Sequence, residues 1–313
     1  MTSSAALESL VEDVRAGLTG EGLKELSPKY LYDARGSDLF EQITAQPEYY
    51  PTRCERAILN RHAPAIVGGA SELVELGSGV ASKTRALLYA MAGDGALSRY
   101  VPFDVDPWVV ERCEDELTEL YPGLEVHGVV GDFLAHLADV PGGGPRIVAL
   151  LGGTIGNLKP ADRAPFLRSI RELLGPDDRF LLGTDLVKDT AVLEAAYNDA
   201  AGVTAAFNRN VLNVLNRELG ADFELDAFAH VAFFDRDASW IDIRLRSRRD
   251  QRVSIPGAGI EVDLREGEDI RTEVSAKFTL EALARELREA GMELERFFTD
   301  PEGLFGLSLS APR

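Results

Sequence analysis

The stretch LVELGSGVASKT, residues 73–84, decides how the rest of the chain is read. It opens on Leu73, Val74, Glu75 and Leu76, a short apolar run of the kind that makes a buried parallel strand. It then turns on Gly77, Ser78 and Gly79, and a helical pattern follows over 83–91. A strand, a Gly-X-Gly turn and a helix start leave backbone N–H groups bare beside a ligand, with no Cβ in the way. In α/β folds a nucleotide-like cofactor sits there, at the carboxyl ends of the strands.

Glycine turns also occur where nothing binds, so the next strand end matters. YVPFDVD, at 100–106, is a second short apolar run and ends in two aspartates. A carboxylate there accepts both ribose hydroxyls of a nucleoside, and Asp104 lies in the window where such folds place one. The dinucleotide fingerprint asks for Gly or Ala at the sixth loop position, which here is Ser82. A nucleoside without a pyrophosphate, such as S-adenosylmethionine, therefore suits the turn better than a dinucleotide.

Outward from this stretch the α/β alternation continues. Helix 83–92, strand 100–104, helix 107–120 and a third strand near 124–130, ending in Gly131-Asp132-Phe133, come first. Beyond the PGGGP loop at 141–145 follow the apolar run IVALLGG, a turn through Thr154 to Asn157, helix 160–174 and strand 179–185. Five strands with intervening helices predict a doubly wound parallel sheet. Upstream, residues 5–18 read as an amphipathic helix, and 52–67 as another. Between them Tyr30, Tyr32, Phe40, Tyr49 and Tyr50 crowd into a short segment, where Tyr49-Tyr50-Pro51 reads as a loop corner able to turn a phenol toward a ligand.

After Asp185 the character changes. Residues 188–219 read as helical with an asparagine-rich stretch, and 223–262 as short alternating runs. WIDIRLRS, at 240–247, sets Ile241, Ile243 and Leu245 on one face against Trp240, Asp242, Arg244 and Arg246 on a face expected in water. In EVSAKF, Glu273 and Ser275 share a face at i and i+2. The chain ends in helix 280–291 and two strand-like runs, 293–298 and 304–309, the terminal antiparallel pair that class I methyltransferases add to a parallel sheet.

Composition limits the partners. The chain has 313 residues, 45% of them hydrophobic, enough for a sizeable core. A net charge of −19 argues against a nucleic-acid or anionic-membrane partner, since both need a basic face, and five arginines over 244–252 read as a solvated strand face. Cys54 and Cys113 make no disulfide framework and, with four histidines, no metal spacing. No apolar run approaches a membrane span, and the acidic start does not resemble a signal peptide, so a cytoplasmic, monomeric protein is expected.

The sequence resembles the L-histidine Nα-methyltransferases of ergothioneine biosynthesis, which make hercynine from histidine and S-adenosylmethionine. The likeness rests on PEYYPTR (47–53), VELGSG (74–79), PFDVD (102–106), GDF (131–133), TIGN (154–157), GTDLVKD (183–189), AAGVTAAFNRNVL (200–212) and TEVSAKF (272–278). It implies a class I, Rossmann-like α/β cofactor domain over 53–187 plus 277–313, and a smaller α+β substrate domain over 1–52 plus 188–276. It implies that Gly77 and Lys83 hold the methionine part of the cofactor, Asp104 the ribose, and Asp132 and Phe133 the adenine. For histidine it implies Asn157 and Tyr197 at the amino-acid end, and Tyr49, Glu273 and Ser275 at the imidazole. Thr204, Tyr32 and Phe40 fall near the amine. No proton acceptor is implied, only positioning by Asn157, Tyr49 and Thr204, and no metal. The sequence departs from the family where Ile243 replaces a frequent methionine, a change of pocket shape without change of polarity, and where Gly153 replaces a frequent serine. The alternatives are methylation of another amino acid, such as a tryptophan derivative, which Glu273 disfavours, and a cofactor-binding protein without catalysis, which the retained substrate set disfavours.

Overall fold

The computed structural model describes residues 4–79 and 81–313, so Val80 of the glycine stretch lies outside the described residues, as do residues 1–3 at the start of the expected substrate domain. The chain forms two compact units. One comprises Pro51–Val187 with Lys277–Arg313, the other the chain up to Tyr50 with Lys188–Ala276.

The larger unit is built on an eight-stranded sheet. Glu72–Leu76 and Arg146–Leu150 are buried along their whole length, as expected of runs with no polar alternation. Glu72–Leu76 pairs in parallel with Arg99–Asp104 on one side and Arg146–Leu150 on the other. The strand order thus reverses beside it, and its carboxyl end, where Gly77 turns, is the switch point at which open α/β sheets bind ligands. Arg179–Asp185 extends the parallel set. Phe305–Pro312 then runs antiparallel beside it and pairs with Met292–Thr299 at the edge. This is a class I methyltransferase sheet.

The third strand differs from expectation: it is two short pieces, Glu125–Val126 and Val129–Val130, each paired with Arg99–Asp104. Between them Gly128 donates its N–H to Glu114 Oε1 at 2.8 Å and lies against Val110, so the helix behind the sheet takes the hydrogen bond a continuous ladder would use. The helix Pro107–Leu120 itself starts on a proline, with the Asp106 carboxylate capping Trp108 N. The apolar core gathers Ile58, Leu73, Leu88, Tyr100, Ile147 and Phe305 from both the helices and the sheet.

The smaller unit carries a four-stranded sheet in the order Lys24–Glu25, Asp269–Ala276, Trp240–Ser247, Phe228–Asp235, and a hairpin of Gln251–Ile255 with Ile260–Leu264. The helix Val203–Leu219 packs on the two strands Phe228–Asp235 and Trp240–Ser247 and against the helix Ala34–Thr44. The expected helical span 188–219 is broken into Thr190–Ala196 and Val203–Leu219. At the break the Asp199 carboxylate accepts from Val203 N at 2.8 Å and Thr204 N at 2.7 Å.

The face of WIDIRLRS expected in water is not uniformly so. Asp242 is fully buried, held by Arg244 at 2.7 Å and Arg271 at 2.6 Å. Burial raises its carboxyl pKa, but the hydrogen bonds and charges of the two guanidinium groups outweigh that and hold it below the ordinary carboxylate value. Arg246 bonds Asp269 and Arg252 bonds Asp263, so much of the local basic charge is already neutralised by acids of the same unit. A β-bulge makes the grouping possible. Arg271 pairs opposite Arg244 and Glu273 opposite Ile243, with Thr272 the extra residue. Strict alternation would put Arg271 on the face of Glu273 and Ser275; the bulge lets it reach Asp242 instead.

Candidate active site

In the larger unit the expected cofactor residues collect around one turn. Gly77 N and Ser78 N donate to Phe103 O at 2.7 and 3.1 Å, tying the turn to the next strand. Gly77 has φ +71°, and a Cβ added there would lie 3.7 Å from the Phe133 ring, so this backbone conformation favours glycine. Gly79 N reaches Asp104 Oδ2 at 2.9 Å, while Asp106 N bonds Asp104 Oδ1 at 3.1 Å. Gly131 N donates to Asp104 O at 2.9 Å, which brings GDF to the same strand end, and Phe133 packs on Phe166 with centroids 5.8 Å apart. Asp132 does not join them through its carboxylate, which caps its own turn at Leu134 N, 2.8 Å away.

Lys83 is fixed by a residue that the sequence reading passed over. Glu55, on the helix Pro51–Val67, is fully buried, 2.5 Å from Lys83 Nζ and 2.7 Å from Gly152 N. Nothing in the polar helix sequence PTRCERAILN separates it from a surface glutamate. Its carboxylate lies over Gly183, where a Cβ would run into Oε1. Below the turn Glu75 is buried as well, accepting from Thr84 Oγ1 and, at 2.6 Å, from Tyr100 OH. Burial pushes its pKa to about 7; the two hydrogen bonds and the Lys83 charge hold it from rising further. Asn157 ends the 3-10 turn Thr154–Asn157 in this unit, partly exposed. A glycine turn with no Cβ in the way, a strand-end carboxylate, an aromatic face and a lysine fit a nucleoside bearing an amino-acid tail, and no His, Cys, Asp and Glu grouping among the described residues suits a metal.

In the smaller unit, Tyr32, Phe40, Tyr49, Tyr197 and Phe207 form a continuous aromatic group with centroids 5.3–6.2 Å apart. Phe207 was not expected there, although it lies in the AAGVTAAFNRNVL motif. Tyr49 is buried at the end of its loop. Although Tyr32 is 40% exposed, burial of its hydroxyl and then the charge of Glu273 push the phenol pKa well above 10. The Tyr197 hydroxyl and Ser275 Oγ are 2.7 Å apart. Glu273 and Ser275 sit opposite Ile243 and Ile241, so all four share one sheet face. Thr204 lies buried in the first turn of its helix.

The model of the histidine-specific, S-adenosylmethionine-dependent methyltransferase family matches residues 10–312. The chain belongs to this family. Relatives agree with that membership along their whole length. The histidine N-alpha-methyltransferase of Mycolicibacterium smegmatis is 53% identical over 312 residues, 99% of this chain and 97% of that protein. That of Mycobacterium tuberculosis is 48% identical over 305 residues, 97% and 95% of the two chains. Among solved structures, a mitomycin 7-O-methyltransferase superposes with a TM-score of 0.50 at 19% identity, covering 98% of this chain and 67% of that one, and bears on the fold alone.

Proposed function

We propose that this family member transfers methyl groups from S-adenosylmethionine to the α-amino nitrogen of L-histidine, three times, giving hercynine for ergothioneine biosynthesis. The observation that carries the substrate is the pair Glu273 and Ser275 on one strand face, with the Tyr197 hydroxyl 2.7 Å from Ser275 Oγ. A carboxylate and a hydroxyl side by side match the two nitrogens of an imidazole, which needs one acceptor and one group of either kind. Tyr49 supports the ring from the aromatic side.

Asn157 and Tyr197 are assigned to the amino-acid end. Neutral hydrogen-bonding groups hold a carboxylate without placing a charge against the amine that must attack. The cofactor, when bound, supplies a sulfonium methyl to that amine. Gly77 and Lys83 are assigned to its methionine part, Asp104 to the ribose, and Asp132 and Phe133 to the adenine. The rings of Tyr32 and Phe40, with Thr204, are assigned to the amine, where cation–π attraction grows as methylation fixes its charge. Ile243 is assigned to the imidazole pocket wall. The protein's work is then positioning, the larger part of what an in-line displacement requires.

The same reading makes the 277–313 segment with 53–187 the cofactor domain, and 188–276 with the N-terminal segment the substrate domain. A net charge of −19, and the absence among the described residues of any helix long and apolar enough to cross a membrane, support a monomer acting on free histidine in the cytoplasm without nucleic acid. Mass spectrometry of reactions with S-adenosylmethionine and histidine, N,N-dimethylhistidine or tryptophan tests the substrate. Three methyl groups gained by histidine are expected. Methylation of tryptophan with histidine untouched would overturn the reading.

A further inference from the structure

A run of side-chain hydrogen bonds crosses the smaller unit, and the chemistry proposed above uses none of its inner members. Thr272 Oγ1 lies 2.6 Å from Asn208 Oδ1, and both residues are only 1% exposed. Asn208 Nδ2 lies 2.9 Å from His230 Nδ1 and 3.0 Å from the Arg244 carbonyl. His230 Nε2 lies 2.8 Å from the Tyr197 carbonyl.

The donors follow from the network by elimination. The Asn208 amide has two hydrogens on Nδ2 and gives one to Arg244 O and one to His230 Nδ1. His230 Nδ1 therefore accepts, its proton is on Nε2, and that N–H donates to Tyr197 O. The Thr272 hydroxyl donates to Asn208 Oδ1, with Ile243 O a longer alternative at 3.2 Å. Only a neutral imidazole satisfies this arrangement, because a protonated Nδ1 would meet the amide hydrogen head-on. Burial, helped by the charge of Arg209, lowers the pKa of His230 and favours that form.

The two ends of the run give it meaning. Thr272 is the extra residue of the bulge, immediately before Glu273, and a slip of one residue there would send Glu273 to the opposite face. Tyr197 carries the hydroxyl that meets Ser275. The run therefore ties the strand bearing Glu273 and Ser275 to the main chain bearing Tyr197, through a buried amide whose hydrogen-bonding groups are all used.

We propose that Asn208 and His230 are positioning residues for the amino-acid substrate, locking the Thr272 bulge and the Tyr197 main chain so that Glu273, Ser275 and the Tyr197 hydroxyl keep one arrangement. The inference rests on the histidine reading of those three groups. The test is steady-state kinetics of the full chain, with histidine varied at saturating S-adenosylmethionine, together with calorimetric affinity for S-adenosylmethionine. The variants are T272V, which keeps the branched shape and loses the hydroxyl, H230F, and H230Q, which keeps a donor for the Tyr197 carbonyl.

T272V and H230F are expected to raise the KM for histidine roughly ten-fold or more, with cofactor affinity within about two-fold of wild type, and H230Q is expected to recover most of the loss. A histidine KM within about two-fold of wild type in T272V and H230F overturns the proposal. So does an equal loss of histidine KM and cofactor affinity, which marks general damage. If H230F does not fold, T272V decides by the same criterion. A wild type that binds S-adenosylmethionine yet leaves histidine unmethylated refutes the histidine reading first, and this inference with it.

Discussion

Replacing Glu75 by glutamine should make the larger unit more stable at alkaline pH and flatten its response to pH. Glu75 is 3% exposed and its pKa is raised by burial from 4.5 to about 7. Between those values the folded protein keeps a proton that the unfolded chain has released, so stability falls as pH rises through that window. At ~1.36 kcal/mol for each whole step of pKa, the full cost above pH 7 is ~3 kcal/mol. Glutamine removes it. The amide must still satisfy Thr84 and Tyr100, which donate to the two carboxylate oxygens, and one of these hydroxyls must turn to accept instead. Allowing ~1–2 kcal/mol for the imperfect fit of an amide where the folded protein otherwise holds a protonated carboxyl, Glu75→Gln should gain ~1–2 kcal/mol above pH 7 and lose that advantage by about pH 5. Because the chain has two units, one global midpoint is too coarse a measure. Amide hydrogen exchange of the strand Glu72–Leu76, followed from about pH 5 to 8.5 with the intrinsic rate removed, reads this unit alone. Parallel stability profiles for wild type and variant across that range would refute the reasoning.

Glu273→Ala should raise the KM for histidine by ten-fold or more, since a charged acceptor contributes ~1.5–3 kcal/mol, while calorimetric affinity for S-adenosylmethionine stays unchanged; a shift in both would place Glu273 elsewhere. Asp104→Asn should weaken S-adenosylmethionine binding by about ten-fold, ~1.4 kcal/mol, with the histidine KM unmoved at saturating cofactor. Gly183→Ala should destabilise the larger unit by ~1–3 kcal/mol, because the new methyl meets the buried Glu55 carboxylate, and exchange protection along Arg179–Asp185 should fall with it. Asp242→Ala leaves Arg244 and Arg271 without their shared anion, and denaturant unfolding of the smaller unit should show a loss of ~2–4 kcal/mol, below the fully buried limit because both guanidinium groups retain some contact with solvent.

Much of the larger unit was legible because a strand buried on both faces is mostly apolar, and Leu73 to Leu76, with Glu75 its one polar member, or Ile147 to Leu150 can be little else. Its glycine turn was legible for a similar reason, since Gly77 occupies a backbone conformation that other residues rarely adopt. The break in the third strand was not, because it depends on Glu114, fourteen residues away, taking the N–H of Gly128. Alternation assigned Asp242 correctly to the face opposite Ile243 but carried no word of what covers that face; its cover is Arg271, twenty-nine residues on. The bulge that brings Arg271 there carries no glycine or proline to announce it. Glu55 and His230 were invisible because the groups that hold them, Lys83 and Gly152 for the one and Asn208 and the Tyr197 carbonyl for the other, come from elsewhere in the chain.

The position of Phe305–Pro312 in the sheet has a consequence for how the protein is made. This strand covers the edge of Arg179–Asp185, yet the ribosome does not reach it until residues 186–304 have been synthesised. At ~5–20 residues per second this edge, buried from Phe180 to Asp185 in the finished sheet, waits on the order of ten seconds without its neighbour. The segment Lys188–Ala276 is meanwhile complete and, with the chain up to Tyr50 already available, can fold first. Translation therefore finishes the inserted unit before the unit that frames it, and the interval before Phe305 emerges is when the nascent chain is most open to edge-to-edge association.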